Sequence, residues 1–350
     1  MNVLMLAPLP PPSGGIASWT VRYKEYCEIN NISLRIVNLA VQGARASQET
    51  MHRNLWIELK RTIHIIRNLK KELKKSLPHV VHVNTSCSPL GVIRDALCIY
   101  VIHRKAPIVL HCRCNIEDQL GLNSISRFLF KYMVKKSDKV IVLNDFSKKY
   151  VDDIKTNKSV FIPNFVNEKK IDENHFIRED IKRVVYVGHV EKDKGFFQIL
   201  DVAKLFPDIS FKLVGAVRED VSNITIPSNV FLEGRVSMDT VQSYLRESDI
   251  FLFPSVTEGF SNALLEAMAM GIPAIATDVG ANRQMIENQG GIIISENTSD
   301  AISNAIKKMR AYGVRKKMSN WNVTKVKTHY METVVMNQYL LVYKQVNEVR

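Results

Sequence analysis

Two glutamates, Glu258 and Glu266, stand eight positions apart in PSVTEGFSNALLEAMAMGIPAIATDVG, the stretch from Pro254 to Gly280. Between them, TEGFSN leaves the strand-like IFLFPS and enters the helical ALLEAMAM. Ser261 or Asn262 can cap that helix, Gly271 supplies a left-handed stop and Pro273 follows shortly after. Glu258 therefore belongs to the loop, and Glu266 lies about one turn inside the helix. At a rise of roughly 1.5 Å per residue, eight positions correspond to about 12 Å at most. The backbone N–H groups of Phe260, Ser261, Asn262, Ala263 and Leu264 lie between the two acids, and a helix start with unpaired donors is an anion site. One carboxylate on each side of a phosphate site suits a molecule with hydroxyls at both ends and phosphates in the middle, the layout of a nucleotide-sugar. The plainer reading makes Glu258 a helix-dipole partner and Glu266 a surface residue. Against it, Glu266 is embedded in ALLEAMAMG, where nearly everything is apolar or small and an unpartnered carboxylate is costly.

Other stretches carry weaker chemistry. PLPPPSGGIASW, Pro8 to Trp19, leaves a strand and enters a helix, and Gly14 and Gly15 permit close backbone approach to a ligand; a plain tight turn is the alternative. It lacks the G-x-G-x-x-G dinucleotide pattern. PIVLHCRCN, Pro107 to Asn115, puts His111 and Arg113 on one strand face and Cys112 and Cys114 on the other, a poor arrangement for zinc. There is no Asp-x-Asp anywhere to suggest a divalent ion on a diphosphate. No metal and no cofactor are expected.

These residues need a frame. In residues 1–165, VLMLAP, LRIVNLA, HVVHVN, APIVLHC and KVIVLN are Val/Ile-rich and unbroken by polar alternation, as buried parallel strands are, with helical stretches between them. After the charged segment from Asn167 to Asp180 a second series begins: RVVYVG, ISFKLVG, NVFLEG, IFLFPS and PAIATD. The pattern predicts an α/β protein of two doubly wound domains, residues 1–165 and 166–328, with an apolar-striped helix over 329–350 whose plain reading is an ordinary cap. Ligands of such sheets bind beyond the carboxyl ends of the strands, so a cleft between the domains is the expected site.

A length of 350 residues suits about two domains. No apolar run reaches the roughly 18 residues of a membrane span, and MNVLMLAPLP lacks the features of a signal peptide, so a cytoplasmic location is expected. Five cysteines without paired spacing read as reduced core residues. The formal charge of +13 lies wholly in the first half, where residues 1–165 hold 25 Lys+Arg against 12 Asp+Glu and the remainder holds 23 of each. Much of it falls in residues 53–78, where Leu55, Leu59, Ile63, Ile66 and Leu69 recur near helical period beside Arg61, Arg67, Lys70, Lys71, Lys74 and Lys75. That basic amphipathic helix is either a solvated outer face or a surface for anionic lipid or a phosphate-bearing acceptor. Nucleic acid is a lesser reading, and no nucleic-acid partner is expected.

EGFSNALLEAMAMGIPAIATDVG resembles the signature of the retaining glycosyltransferases of family four, with their E-x7-E pair at Glu258 and Glu266. The resemblance is strongest over residues 183–292 and implies the GT-B fold, with two Rossmann-like domains facing a cleft and the C-terminal helix, 329–350, crossing back to the first domain. It implies that Glu258 contacts donor-sugar hydroxyls, that Glu266 contacts the ribose, and that amides from Phe260 to Leu264 hold sugar and diphosphate. GHVEKDKGF, Gly188 to Phe196, is similar to the family's phosphate segment, which implies that Gly188 and Lys194 serve the leaving diphosphate. His189 departs from that pattern, where arginine is usual, so that either His189 donates one weaker, pH-dependent contact to the donor or another cation, Lys192 or Arg235, substitutes. The family places the Gly14–Gly15 loop over the phosphates and acceptor. At the position where many relatives carry a catalytic histidine, the register brings Arg113, with His111 two residues earlier. The implied reaction moves a sugar from a nucleoside diphosphate to an acceptor hydroxyl with retention. The implied acceptor is a saccharide or lipid-linked saccharide of bacterial capsule, exopolysaccharide or O-antigen, at the inner face of the plasma membrane. A sugar-nucleotide epimerase of the same architecture and a non-enzymatic basic nucleic-acid or membrane-binding protein are the alternatives.

Overall fold

Unbroken Val/Ile-rich runs bury both faces of a strand, and here they form two six-stranded sheets in which every pairing is parallel. The computed structural model describes residues 1–11, 14–40, 55–218, 221 and 224–348. The chain divides into one unit of Met1–Pro163 with Met336–Arg350 and a second of Asn164–Val335.

In the first unit the strands are β1 (Asn2–Ala7), β2 (Ser33–Asn38), β3 (Val80–Thr85), β4 (Ile108–Cys112), β5 (Lys139–Val142) and β6 (Ser159–Phe161), in the order β2-β1-β3-β4-β5-β6. The helices between them are α1 (Gly15–Ile29), α2 (Leu55–Lys75), α3 (Pro89–Ile102), α4 (Ile116–Leu120), α5 (Ser124–Lys136) and α6 (Asp145–Ile154). All six residues of β3 and all five of β4 are buried. The strand order reverses between β1 and β3, which leaves the loops after those two strands to diverge at one point.

The second unit holds β7 (Arg183–Val187), β8 (Ser210–Val214), β9 (Val230–Gly234), β10 (Ile250–Phe253), β11 (Ala274–Thr277) and β12 (Gly291–Ile294), in the order β12-β11-β10-β7-β8-β9. Its helices are α7 (Phe196–Leu205), α8 (Met238–Arg246), α9 (Asn262–Ala269), α10 (Asn282–Ile286), α11 (Ser299–Lys308) and α12 (Tyr312–Lys325). Here the reversal lies between β7 and β10. The last helix, α13 (Glu332–Glu348), begins where Glu332 N–H donates to Val166 O in the second unit, and from Met336 it belongs to the first, packing Tyr339 and Tyr343 into that core.

The basic helix forms, and of the expected stripe Leu69 and Ile66 pack inside while Leu59 and Ile63 do not. Ile65, Leu69 and Leu73 enter the core and Ile66 packs beside them. At about 100° per residue, Trp56, Leu59 and Ile63 fall roughly 80° to 140° round from Leu69, and they are 72%, 50% and 41% exposed. Arg53, Asn54 and the side chain of Leu55 lie outside the described residues. Among those described, no helix is long and apolar enough to cross a membrane. All five cysteines are free.

Arg315, on α12, is wholly buried and donates to the carbonyl oxygens of Met309 (2.6 Å), Arg310 (2.8 Å), Glu179 (2.7 Å) and Arg178. It ties the end of α11 to the entry of β7. Arg315→Met keeps the volume and removes every donor, so it should lower the unfolding free energy of the second unit by about 3 kcal/mol. Urea denaturation showing a loss under about 1 kcal/mol would contradict that role.

Candidate functional site

The reversal between β7 and β10 collects the residues singled out in the second unit. After β7 the chain makes a tight turn, Lys192–Lys194, and Gly195 (φ +79°) starts α7; a Cβ there would lie 2.3 Å from Pro254 O. That contact lets the turn press against the loop after β10, and Val256 N–H donates to Asp193 O at 2.9 Å. Gly280 (φ +54°) lets the loop after β11 approach equally closely, since its Cβ would meet Glu258 O at 2.3 Å. Ala281 N–H completes the lacing by donating to Gly259 O. Three strand ends are thus bound into one scaffold.

On that scaffold Lys194 Nζ lies 2.6 Å from Glu258 Oε1, 3.2 Å from Ser255 Oγ and 3.4 Å from Thr257 O, and Ser255 Oγ is itself 3.0 Å from Glu258 Oε1. The two expected residues meet as a partly covered ion pair. Ser255, buried and bridging both, carried no signal in the sequence beyond its place at a strand end. Tyr186 OH donates to His189 O at 2.7 Å; burial first, then the negative charges of Glu258 and Glu191, push its pKa up, so the phenol stays a donor. Gly188 N–H donates to Val214 O, placing the start of this loop at the end of β8.

The helix start needs one correction. Ser261 is the N-cap, and its Oγ accepts from Leu264 N–H at 3.1 Å, so Leu264 is not an open donor. Among the described residues Asn262 and Ala263 N–H make no hydrogen bond, and they present the positive end of α9. Phe260 packs its ring against Tyr330. Asn262 Oδ1 accepts from Asn164 Nδ2 at 2.8 Å. Glu266 is 8% exposed, as an embedded acid should be, but it has a partner: Lys170 Nζ lies 2.8 Å from its Oε1. Lys170 comes from a one-turn helix 96 positions away, a distance that sequence spacing does not bridge. Arg235 follows β9, two strands from β7, roughly 10 Å at the usual strand spacing.

In the first unit Gly14 precedes α1 with φ −178°, an extended conformation open to any residue, and nothing lies within 4 Å of a Cβ there. Gly14 therefore does not need glycine for its conformation, and what glycine leaves there is open space; Pro12 and Ser13 lie outside the described residues. His111, expected beside the chemistry, is fully buried with both ring nitrogens engaged. It supports Arg113 instead. Arg113 always donates, so His111 Nε2 accepts from it (3.1 Å) and His111 carries its proton on Nδ1. His111 Nδ1–H then donates to His82 Nε2 (3.1 Å), and His82 Nδ1–H donates to Tyr343 OH (2.6 Å), which lies 2.8 Å from Tyr23 OH. One tautomer set satisfies the whole chain. Arg113 also lies over Trp19, 4.4 Å from the ring, and has no carboxylate partner among the described residues. Burial pushes its pKa down to about 10, which leaves it a cation at neutral pH. Among the described residues, no group of three or more His, Cys, Asp or Glu side chains is placed to hold a metal ion.

Residues 167–322 match the family described as Glycosyl transferases group 1, and residues 38–170 match Glycosyltransferase Family 4. The uncharacterized glycosyltransferase MJ1178 of Methanocaldococcus jannaschii is 30% identical over 191 residues, 53% of each chain. The capsular polysaccharide biosynthesis glycosyltransferase CapM of Staphylococcus aureus is 28% identical over 155 residues, 41% of this chain and 40% of that one. Matched stretches span about half the length of the first two curated relatives. The crystal structure of Anabaena Alr3699/HepE in complex with UDP superposes with a TM-score of 0.74 at 13% identity, covering 99% of this chain and 100% of that one.

The neutral histidine chain has a measurable consequence. Burial first, then the charge of Arg113, pushes His82 down to about 3 and His111 well below 6.5. Unfolded histidines protonate near pH 6.5, so between there and about pH 3 the unfolded state binds more protons. Stability is complete above pH 6.5 and lost as pH falls. Between pH 7 and pH 5 each histidine should account for about 2 kcal/mol of lost stability. His82→Gln should remove roughly one histidine's share of the loss; an unchanged pH slope of denaturation in the variant would refute the assignment.

Proposed function

The chain belongs to the family 4 glycosyltransferases and has their GT-B fold, and from that premise we propose that it transfers a sugar from a nucleoside diphosphate to an acceptor hydroxyl with retention at the anomeric carbon. The observation that carries the reading is the convergence of Lys194, Glu258 and the open amides of Asn262 and Ala263 at the β7–β10 reversal.

Each group has a role that follows from its chemistry. A diphosphate arriving at α9 takes Lys194 away from Glu258, exchanging one anion for another, and this frees the carboxylate to accept from sugar hydroxyls. As the bond between anomeric carbon and phosphate oxygen breaks, charge grows on the diphosphate, and Lys194 with the two amides stabilises it most at that moment. The acceptor oxygen bonds the anomeric carbon on the face that the phosphate leaves, and the departing phosphate takes the acceptor proton. Glu258 orients the sugar while the carbon is oxocarbenium-like. Glu266, in contact with Lys170 at 2.8 Å, accepts from ribose hydroxyls. No metal ion is called for in this charge balance. Arg113, a cation without a carboxylate, serves an anionic oxygen of donor or acceptor.

Relatives named for capsule synthesis support a saccharide acceptor of a surface polysaccharide. The outer flank of α2 supports a membrane-borne one. Trp56, Leu59 and Ile63 are exposed beside Lys60, Arg67, Lys70, Lys71 and Lys74, an arrangement that lays an apolar edge and a basic face on an anionic lipid surface.

Three experiments test these readings. Lys194→Ala should lower kcat by about 10²- to 10³-fold, and Glu258→Ala should do the same with an unchanged thermal midpoint; near-wild-type turnover in either rejects the site. Donor incubated without acceptor should give at most slow hydrolysis, whereas an epimerised nucleotide-sugar would establish the epimerase alternative. For the surface, Trp56→Ser with Ile63→Ser should abolish flotation with vesicles containing anionic lipid; flotation equal to wild type overturns it.

A further inference from the structure

The reversal between β1 and β3 in the first unit opens a second cavity, of about 250 Å³. Pro8 and Ile16 bound it after β1, Ser86 and Ser88 after β3, and Arg61 from α2 with Arg94 from α3 stand at its walls. Asn84, at the end of β3, lines it, is 2% exposed, and makes no side-chain hydrogen bond among the described residues through either Oδ1 or Nδ2. Fully buried carboxamides are almost always satisfied. One left open on both atoms at a sheet's switch point marks a place where a ligand supplies the partners.

The chemistry of the walls selects the ligand. Both cations are matched, since Arg61 lies 2.9 Å from Glu58 and Arg94 lies 2.8 Å from Asp95. An oxyanion would satisfy Asn84 Nδ2 and leave Oδ1 buried against negative charge. Exchanging the two amide atoms by a flip does not alter this, because both are open. The ligand must donate and accept side by side, as two neighbouring hydroxyls do. Ser86 Oγ and Ser88 Oγ, 3.2 Å apart, extend the same donor–acceptor surface. The volume is below the roughly 300–1,000 Å³ of drug-sized ligand sites, so it takes one ring.

We propose that this cavity is a subsite for a single uncharged sugar ring, gripped through two adjacent hydroxyls by the carboxamide of Asn84, and that it seats the terminal residue of the acceptor. Its role as acceptor seat rests on the transferase reading above; its capacity to bind a neutral sugar does not.

The test is saturation-transfer NMR on the full chain with methyl β-D-glucopyranoside, methyl β-D-galactopyranoside and methyl α-D-mannopyranoside, alongside glucuronate and inorganic phosphate. At least one neutral glycoside should give signal with wild type and lose it, or bind at least tenfold more weakly, in Asn84→Ala. Because the amide is unpaired in the protein itself, the thermal midpoint of Asn84→Ala should equal or exceed that of wild type, which a structural asparagine would not allow. UDP and GDP binding should be the same in both proteins. The proposal fails if no neutral glycoside binds, if only glucuronate or phosphate binds, if the variant binds as wild type does, or if it melts clearly lower. Should glycoside binding follow Asn84 while Lys194→Ala leaves turnover untouched, the sugar subsite stands and the transferase reading falls.

Discussion

An all-parallel sheet puts every strand's carboxyl end on one edge, and where the winding direction reverses, two neighbouring loops must part company. Both units obey this constraint, at β1–β3 and at β7–β10, and both keep their unusual polar groups there. In the second unit Gly195 and Gly280 let the diverging loops close up from behind, so that Lys194 and Glu258 are brought within 2.6 Å of each other although 64 positions separate them. The rest of the site depends on that scaffold. Without close backbone approach at those two glycines, the turn carrying Lys194 would stand off from the loop carrying Glu258.

Much of this was legible in the sequence because its signals are local. Strand-like runs, a cap at Ser261, a stop at Gly271 and an acid in an apolar helix are all read within a dozen residues, and the structure places them as the local chemistry requires. What was not legible depends on residues far apart in the chain. Lys170 partners Glu266 across 96 positions, and His82 meets Tyr343 across 261. The part of the α2 stripe that stays outside has a different cause. A long helix rich in both leucine and lysine offers more than one apolar stripe, and the choice of 65, 69 and 73 over 59 and 63 is made by what packs beneath it, which the helix's own period does not encode. At Leu264 the sequence leaves the amide open because it offers either Ser261 or Asn262 as the cap, and only the direction of the Ser261 hydroxyl closes it.

Charge is handled differently in the two units. The second unit pairs its site charges with one another, Lys194 with Glu258 and Lys170 with Glu266, so the folded protein leaves none of these four unmatched. The first unit gives Arg113 no carboxylate among the described residues and surrounds it with rings held neutral: two histidines in fixed tautomers, Trp19 and Tyr339. A guanidinium stabilised by a π face and by neutral acceptors keeps its charge available for an incoming anion, whereas a salt bridge would have to be broken first.

Under the proposed transferase and sugar-subsite readings, that contrast sets how each unit meets its ligand. Where charges are already paired, binding is an exchange: a phosphate that takes Lys194 displaces Glu258, and the net gain is the difference between two ionic contacts, with the freed carboxylate turned to the sugar. Where polar groups are left open, as at Asn84, binding is a completion, and the ligand removes a penalty that the folded chain otherwise carries. Exchange favours release, since the original pair re-forms as the diphosphate leaves. Completion favours discrimination, since a ring lacking one of two adjacent hydroxyls leaves a buried amide atom unmet, and such a deficit separates close analogues far more sharply than an apolar contact does. On those readings a spent nucleotide leaves each cycle while one particular sugar chain is accepted, which calls for both, and the two sheets would place exchange at one reversal point and completion at the other.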